Sequence, residues 1–239
     1  MRRIRLGMLT PSSNTVLEPV TTEMIRDLPE VSSHFGRFRV TEISLRDQAL
    51  GQFDNAAVLE AARLLADARV DVIAWNGTSS GWLGFEADER LCAAITAETG
   101  IPATTSVLAL NEIMRQTGVR GFGLVTPYLH EVQARILANY AAAGLPCIAE
   151  RHLNDPGNFS FSEVTEAQIE AMVRGVAAAG PDCISTFCTN LRAAPLVARL
   201  EAELGLPIYD TISVVVWKAL RMAGVDSSRV TGWGRLMVL

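Results

Sequence analysis

Strand-like apolar runs alternate along the chain with segments whose apolar residues recur at helical spacing. The apolar runs predict strands over residues 3–11, 70–75, 118–127 and 181–187. The amphipathic spacing predicts helices over residues 55–68, 85–100, 129–144 and 192–205. Pro195 lies near the first turn of the last of these helices. Because strands that alternate with helices in this order form parallel sheets, we predict an α/β fold.

The same order of motifs occurs twice. "GMLTPSSN" resembles "GLVTPYLH", "VDVIAWNGTS" resembles "PDCISTFCTN", and "TGIPATTSVLALNEIM" resembles "LGLPIYDTISVVVWKAL". The offset is 105 residues at the Gly-x-Pro motif, 111 between Gly77 and Cys188, and 116 at the Thr-Pro motif, as loop insertions in a duplicated unit would produce.

The repeat predicts two pseudo-symmetric lobes, each a mainly parallel sheet flanked by helices. We assign residues 1–110 and 212–239 to the first lobe and residues 111–211 to the second. Ligands of open α/β sheets bind beyond the carboxyl ends of the strands. The active site is therefore expected in the cleft between the lobes.

Composition and charge narrow the function classes. Of the 239 residues 49% are hydrophobic and 20% are charged, which is ordinary for a compact globular protein. The net charge of −5 and the lack of a Lys/Arg run argue against a nucleic-acid partner. No stretch has the length and apolarity of a signal peptide or a membrane span, so we expect a cytoplasmic protein that does not bind membranes.

The cysteines and histidines form no metal-binding pattern. No CxxC pair occurs among the four cysteines, which are Cys92, Cys147, Cys183 and Cys188. None of the three histidines lies in an HxxxH pattern. We therefore predict no metal and, in a reducing cytosol, no disulfide. The chain also lacks GxxxxGK[ST] and a GxGxxG motif after a strand, so a triphosphate ligand is not expected.

Small polar residues follow each strand of the repeated motifs, as "TPSSN" (10–14), "NGTS" (76–79), "TPY" (126–128) and "CTN" (188–190). Together with the free N–H groups of helix starts, such residues suit an anion, and a carboxylate in particular. Each also has a structural interpretation: Cys188 as a packed residue, Thr78 and Asn14 as helix caps, and Gly77 as a position that needs a positive φ.

These motifs, in this order, resemble the aspartate/glutamate racemase superfamily, in the branch of maleate cis-trans isomerases and arylmalonate decarboxylases. The resemblance covers nearly the whole chain and implies an enzyme that needs no cofactor. Racemases and isomerases of this superfamily typically place one cysteine from each lobe on opposite faces of the substrate. Here Cys188 matches the second-lobe cysteine, whereas Gly77 stands at the first-lobe position. Arylmalonate decarboxylases resemble this chain in having that glycine and a single cysteine.

The resemblance also implies roles for other residues. Thr78, Ser79 and Tyr128 would bind the retained carboxylate, with backbone N–H groups around Thr189 and with Asn190 beside it. Asn14 and Asn158 match positions that bind the carboxylates of maleate in the isomerases. The candidates for an apolar surface facing the leaving carboxylate are Trp75, Trp82, Leu83 and Phe85.

One thiol is enough for a decarboxylase, because the loss of carbon dioxide itself generates the carbanion that a thiol of pKa roughly 8.5 can protonate. We expect a cofactor-independent decarboxylase of a small malonate-like dicarboxylic acid, in which Cys188 protonates an enediolate held by Thr78, Ser79 and Tyr128. Two alternatives remain open. One is a maleate isomerase-like or racemase-like isomerase of a small dicarboxylate, and the other is a non-catalytic carboxylate-binding protein. The sequence also allows a homo-oligomer.

Overall fold

The structure, a computed structural model of the chain, describes residues 2–43, 45 and 55–239. The strands are β1 Ile4–Pro11, β2 Val31–Phe38, β3 Val72–Trp75, β4 Ala103–Thr105, β5 Phe122–Thr126, β6 Cys147–His152, β7 Cys183–Thr186 and β8 Ile208–Asp210. The helices are α1 Leu17–Met24, α2 Asn55–Asp67, α3 Ser80–Leu83, α4 Phe85–Thr99, α5 Ser106–Gln116, α6 His130–Ala142, α7 Glu166–Ala177, α8 Val197–Leu204 and α9 Thr211–Met222. Short 3₁₀ helices occupy Phe159–Glu163, Ala194–Leu196, Ser227–Arg229 and Arg235–Val238.

The strands form two four-stranded sheets with the same topology. The first sheet has the order β2-β1-β3-β4 and the second has the order β6-β5-β7-β8. Every paired strand that the structure describes is parallel to its neighbour. Each strand of the second sheet thus takes the place of the strand four earlier in the first. The predicted α/β fold with two pseudo-symmetric, parallel lobes is confirmed.

Helix ends and starts recur at equivalent positions of the two lobes. Gly100 ends α4 and Gly205 ends α8, with left-handed φ angles of 70° and 72° that favour glycine. After the short strands β4 and β8, Thr105 caps α5 by accepting from the N–H of Leu108, and Asp210 caps α9. The Gly-x-Pro motif of the sequence therefore marks a helix stop, a strand and a helix start in both lobes.

The sequence predicts the central strands better than the edge strands. The predicted central strands appear, although residues 118–127 shorten to Phe122–Thr126. None of the edge strands β2, β4, β6 and β8 was predicted. Exposed and polar residues interrupt the apolar pattern of β2 and β6, and β4 and β8 are only three residues long. The predicted helix over 192–205 begins as a 3₁₀ turn with Pro195 in it, and continues as α8.

Helix α9 lies between the two sheets. It packs on α5, β3 and β4 and also contacts β8, and nine of its twelve residues are buried. Among the helices that the structure describes, none has the length and apolarity needed to cross a membrane.

Candidate active site

The strand-end motifs meet around one cavity. The carboxyl ends of parallel strands lie at the same edge of a sheet, so residues after β1, β3, β5 and β7 come together where the lobes face each other. The cavity has a volume of about 20 Å³, which is room for one water molecule. It is lined by Pro11, Val40, Ile43, Trp75, Gly77, Thr78, Ser79, Trp82, Tyr128, Asn158, Cys188 and Thr189.

A larger cleft of about 690 Å³ lies elsewhere, between α1 and the segments that carry Glu163, Arg192 and Trp233. Its lining contains no thiol and none of the site residues that the sequence predicts. The thiol and the hydroxyl groups converge on the small cavity, which is therefore the candidate active site.

Cys188 lies directly beyond β7 and is 3% exposed. Burial raises the pKa of its thiol to about 12, against the opposing effects of the Asn190 N–H, the Tyr128 hydroxyl and the Leu191 N–H. The N–H of Asn190 donates to Sγ across 3.4 Å. Because the neutral form is favoured, this thiol is an acid at neutral pH rather than a ready nucleophile.

Hydroxyl groups lie next to the Cys188 thiol, beginning with that of Tyr128. Tyr128 is buried, and its pKa lies well above its usual value because of burial and the adjacent Cys188. Its hydroxyl is 2.5 Å from Oγ1 of Thr78. Ser79 also lines the cavity and is buried. These three hydroxyls form a polar side that can donate to a carboxylate.

The rest of the lining includes apolar side chains. Of the predicted apolar candidates, Trp75 and Trp82 line the cavity. Leu83 lines a separate cavity of about 40 Å³, and Phe85 packs on Tyr140 with ring centroids 4.9 Å apart. Val40 and Ile43 complete the apolar side and were not predicted. They follow β2, so recognising that edge strand in the sequence would have placed them at this edge of the sheet.

Gly77 lacks a side chain for a steric reason. Its backbone is not among the positive-φ glycines of the described residues, so the interpretation that its φ requires glycine is wrong. A Cβ atom built on Gly77 would lie 1.9 Å from Cζ2 of Trp75. The indole fills the space that a first-lobe cysteine side chain would occupy.

Asn14 and Asn190 do not line the cavity, because their amides join the lobes behind it. Oδ1 of Asn14 accepts from the N–H groups of Val16 and Leu17 at the start of α1, and its Nδ2 donates to the carbonyl of Thr189 across 3.0 Å. Asn190 accepts the N–H of Thr15 through Oδ1. The amide groups of these two residues thus cap helix α1 and form hydrogen bonds between the lobes.

Asn158 and Thr189 line the cavity but have protein partners. Nδ2 of Asn158 donates to Oγ of Ser13 across 2.8 Å, and the Asn158 carbonyl accepts from Asn190. The hydroxyl of Thr189 donates to the carbonyl of Asn76 across 2.9 Å. A carboxylate would have to replace these contacts to bind the two side chains.

Two buried carboxyl groups lie near the site without lining the cavity. Asp210 accepts from the Thr186 hydroxyl and two N–H groups, and burial raises its pKa to about 6. Asp88 accepts from the hydroxyls of Ser80 and Thr105, and burial likewise raises its pKa to about 6. Within the described ranges, no group of three or more His, Cys, Asp or Glu side chains is placed to hold a metal ion.

A duplicated parallel α/β fold, with a buried thiol and strand-end hydroxyls between its lobes, defines the class of aspartate/glutamate racemase-like enzymes. The chain belongs to the arylmalonate decarboxylase family, whose model matches residues 14–237. It is therefore an enzyme, a lyase or an isomerase, and the alternative of a non-catalytic binding protein is not supported.

Known proteins of two activities resemble the chain. It is 29% identical to an arylmalonate decarboxylase of Bordetella bronchiseptica, over 97% of this chain and 95% of that protein. It is 24% identical to a maleate isomerase of Geobacillus stearothermophilus, over 92% of each. A solved structure of the Nocardia farcinica maleate cis-trans isomerase bound to TRIS matches with a TM-score of 0.90 and 25% identity, over 98% of this chain and 97% of that one.

Proposed function

We propose that the protein is a cofactor-independent decarboxylase of a small, malonate-like dicarboxylate, with Cys188 as the proton donor. The observation that carries the proposal is the thiol count. Cys188 is the single thiol among the described residues that line the cavity, and Gly77 stands where a second would lie. A racemase-type mechanism needs an acid and a base on opposite faces of the substrate, whereas a decarboxylase needs one acid.

The reaction proceeds in two steps. The bond between the α-carbon and the leaving carboxylate breaks, carbon dioxide departs, and the electron pair remains on the α-carbon as an enediolate with the retained carboxylate. Cys188 then transfers its proton from Sγ to the α-carbon. The thiolate then takes up a proton from the solvent, which is favoured at neutral pH because burial holds the pKa of the thiol at about 12.

The polar side of the cavity fits the enediolate. The hydroxyls of Thr78, Ser79 and Tyr128 are buried there, and those of Thr78 and Tyr128 are hydrogen-bonded to each other. Donors aimed at charge that develops in the transition state stabilise it more than they stabilise the substrate. The Asn190 N–H also donates to Sγ of Cys188, where it stabilises the transient thiolate.

The apolar side fits the departing group. Trp75, Trp82 and Ile43 face the cavity there and offer a leaving carboxylate no hydrogen bond across their apolar surfaces. Loss of hydration disfavours a charged carboxylate relative to neutral carbon dioxide, so this surface favours bond cleavage.

A test of the reaction type compares three substrates at equal concentration: methylmalonate, maleate and D-aspartate. We expect carbon dioxide release from methylmalonate, no fumarate from maleate and no L-aspartate from D-aspartate. Fumarate formation without carbon dioxide release would contradict the proposal.

A small-dicarboxylate isomerase is the second candidate. The TM-score of 0.90 with a maleate isomerase structure favours it. In that reaction Cys188 would act without a first-lobe thiol, and the maleate assay above distinguishes the two candidates directly.

A further inference from the structure

Trp75 is packed tightly against the position of Gly77. An ideal Cβ atom on Gly77 would lie 1.9, 2.3 and 2.7 Å from three atoms of the Trp75 indole. The indole is 2% exposed, and Phe38 packs on it with ring centroids 4.9 Å apart. A side chain at position 77 therefore requires the indole to leave its packed position.

The second lobe has the reverse arrangement at the equivalent positions. In the duplicated motif Trp75 corresponds to Thr186, and Gly77 corresponds to Cys188. Residues two apart in an extended chain point to the same side, so the size of the first limits the second. The second lobe pairs a small residue with the thiol, and the first lobe pairs a large residue with glycine.

Trp75 also separates two cavities. Together with Ser79 it lines the active-site cavity of about 20 Å³ and a neighbouring cavity of about 40 Å³. The rest of the second lining includes Val58, Leu83 and Leu91. Removing the indole would join the two cavities into one larger, mostly apolar space.

We propose that Trp75 is a specificity-determining residue with two effects. Its indole excludes a thiol from position 77, and it limits the α-substituent of the substrate to a small alkyl group, because an aryl ring would need the same apolar space. The size limit rests on the proposed decarboxylation, whereas the exclusion of the thiol does not.

The exclusion of the thiol is tested by stability in a double-mutant cycle. We expect Gly77→Cys to lower the Tm by about 2–10 °C or to yield little folded protein, as overpacking does. Trp75→Val alone removes a packed indole and should lower the Tm of the wild type. In the Gly77→Cys background the same change should lower the Tm less, or raise it, because it also relieves the overlap. The matched control is Gly175→Cys in α7, where the nearest atom to a new Cβ is 3.4 Å away; it should change the Tm little and leave the effect of Trp75→Val unaltered. A Gly77→Cys protein as stable as the wild type, or an effect of Trp75→Val on Tm that is the same in both backgrounds, overturns the exclusion.

The size limit is tested with methylmalonate and phenylmalonate. We expect the wild type to prefer methylmalonate in kcat/KM, and Trp75→Val to raise the phenylmalonate to methylmalonate ratio by about tenfold or more. Equal wild-type turnover of the two, or an unchanged ratio in the variant, overturns the size limit alone. Carbon dioxide release from neither substrate by either protein contradicts the proposed function and the size limit together, while the stability cycle still decides the exclusion of the thiol.

Discussion

Cys188, Tyr128 and Thr78 form a buried group in which the thiol stays protonated at neutral pH. Tyr128 OH lies 2.5 Å from Oγ1 of Thr78, and the same hydroxyl interacts with Sγ of Cys188. Burial outweighs these polar contacts and sets the pKa of the thiol at about 12. At the scale of single residues, this arrangement supports the proposed role of Cys188 as a proton donor.

Replacing Cys188 tests whether this thiol is the acid. Cys188→Ala should lower kcat/KM for the turned-over diacid by about 10²–10⁴-fold, the range for loss of a general acid. Cys183→Ala is the matched control, because Cys183 is a buried thiol of the same strand that does not line the cavity. Comparable activity in the two variants would contradict the role of Cys188.

The raised pKa of the thiol predicts a particular pH profile. An unperturbed thiol loses its proton near pH 8.5, and a proton donor of that kind would lose activity above that value. With a pKa of about 12, Cys188 stays protonated, so kcat should stay level between pH 7 and pH 10. A steady-state titration that shows a decline centred near pH 8.5 would contradict this assignment.

The site residues differ in how far the sequence alone predicts them. The strand-end motifs place Cys188, Thr78 and Ser79 together, because strand ends in a duplicated α/β unit share an edge. The contact between Trp75 and Gly77 depends on the direction of the indole in a packed core, which the sequence pattern does not specify. The amides of Asn14 and Asn190 could equally cap, bridge or bind, and their orientation is decided by partners in the other lobe.

The start of α1 is held from both lobes. Asn14 caps the first N–H groups of the helix through Oδ1 and reaches Thr189 through Nδ2, while Asn190 of the second lobe accepts from Thr15. This element therefore couples helix formation in one lobe to the position of the loop that carries Cys188 in the other.

Two substitutions of Asn14 separate capping from bridging. Serine can cap a helix but is too short to reach Thr189, and alanine can do neither. We expect unfolding free energies in the order wild type, Asn14→Ser, Asn14→Ala, with a step of about 0.5–2 kcal/mol between the two variants. Both variants should lose a similar factor, about tenfold, in kcat/KM, since each lacks the bridging hydrogen bond. Equal stability of the serine and alanine variants in urea denaturation would contradict the capping role.

Asp210, the cap of α9, makes stability depend on pH. Burial raises its pKa to about 6 from an unfolded value near 4. The folded state therefore retains a proton that the unfolded state has lost, and this contribution to stability declines as the pH rises from about 4 to about 6. Asp210→Asn removes the titration, so its unfolding free energy relative to the wild type should rise over that range by on the order of 2–3 kcal/mol.

The control for that change is Asp226→Asn. Asp226 also caps a helix, but the hydrogen bonds of Ser228 lower its pKa from the usual range of an aspartate, whereas that of Asp210 is raised. Urea denaturation at pH 4 and pH 8 should show no such rise for this variant. If the difference in unfolding free energy between Asp210→Asn and the wild type is the same at pH 4 and pH 8, the claim that buried Asp210 retains a proton is contradicted.

At the level of elements, the sequence predicts the central strands and the helices α2, α4, α6 and α8, because each bears a clear apolar period. It misses helix α7 and the three-residue strands β4 and β8. β3 and β7 are buried throughout, and their runs stand out. β2 and β6 pair with one neighbour each and expose several side chains. Because both strands are partly exposed to solvent, apolar and polar residues do not alternate regularly along them, and no strand-like period is visible in the sequence.

The whole molecule is duplicated in topology, with unequal side chains at equivalent positions of its two lobes. The repeat of the sequence predicts the matching sheets, and the exchange of cysteine for glycine predicts unequal chemistry. The cavity of about 20 Å³ is far smaller than a diacid. Binding of substrate therefore requires the cavity lining to move apart.

Proton delivery from one lobe has a stereochemical consequence for the whole reaction. Carbon dioxide release from ethyl(methyl)malonate in D₂O leaves an α-carbon that accepts deuterium from the face toward Cys188. The measurement is the enantiomeric composition and deuterium content of the 2-methylbutanoate product. A single enantiomer carrying one deuterium at the α-carbon is the predicted result. A racemic product, or no release of carbon dioxide, would contradict single-thiol decarboxylation at this site.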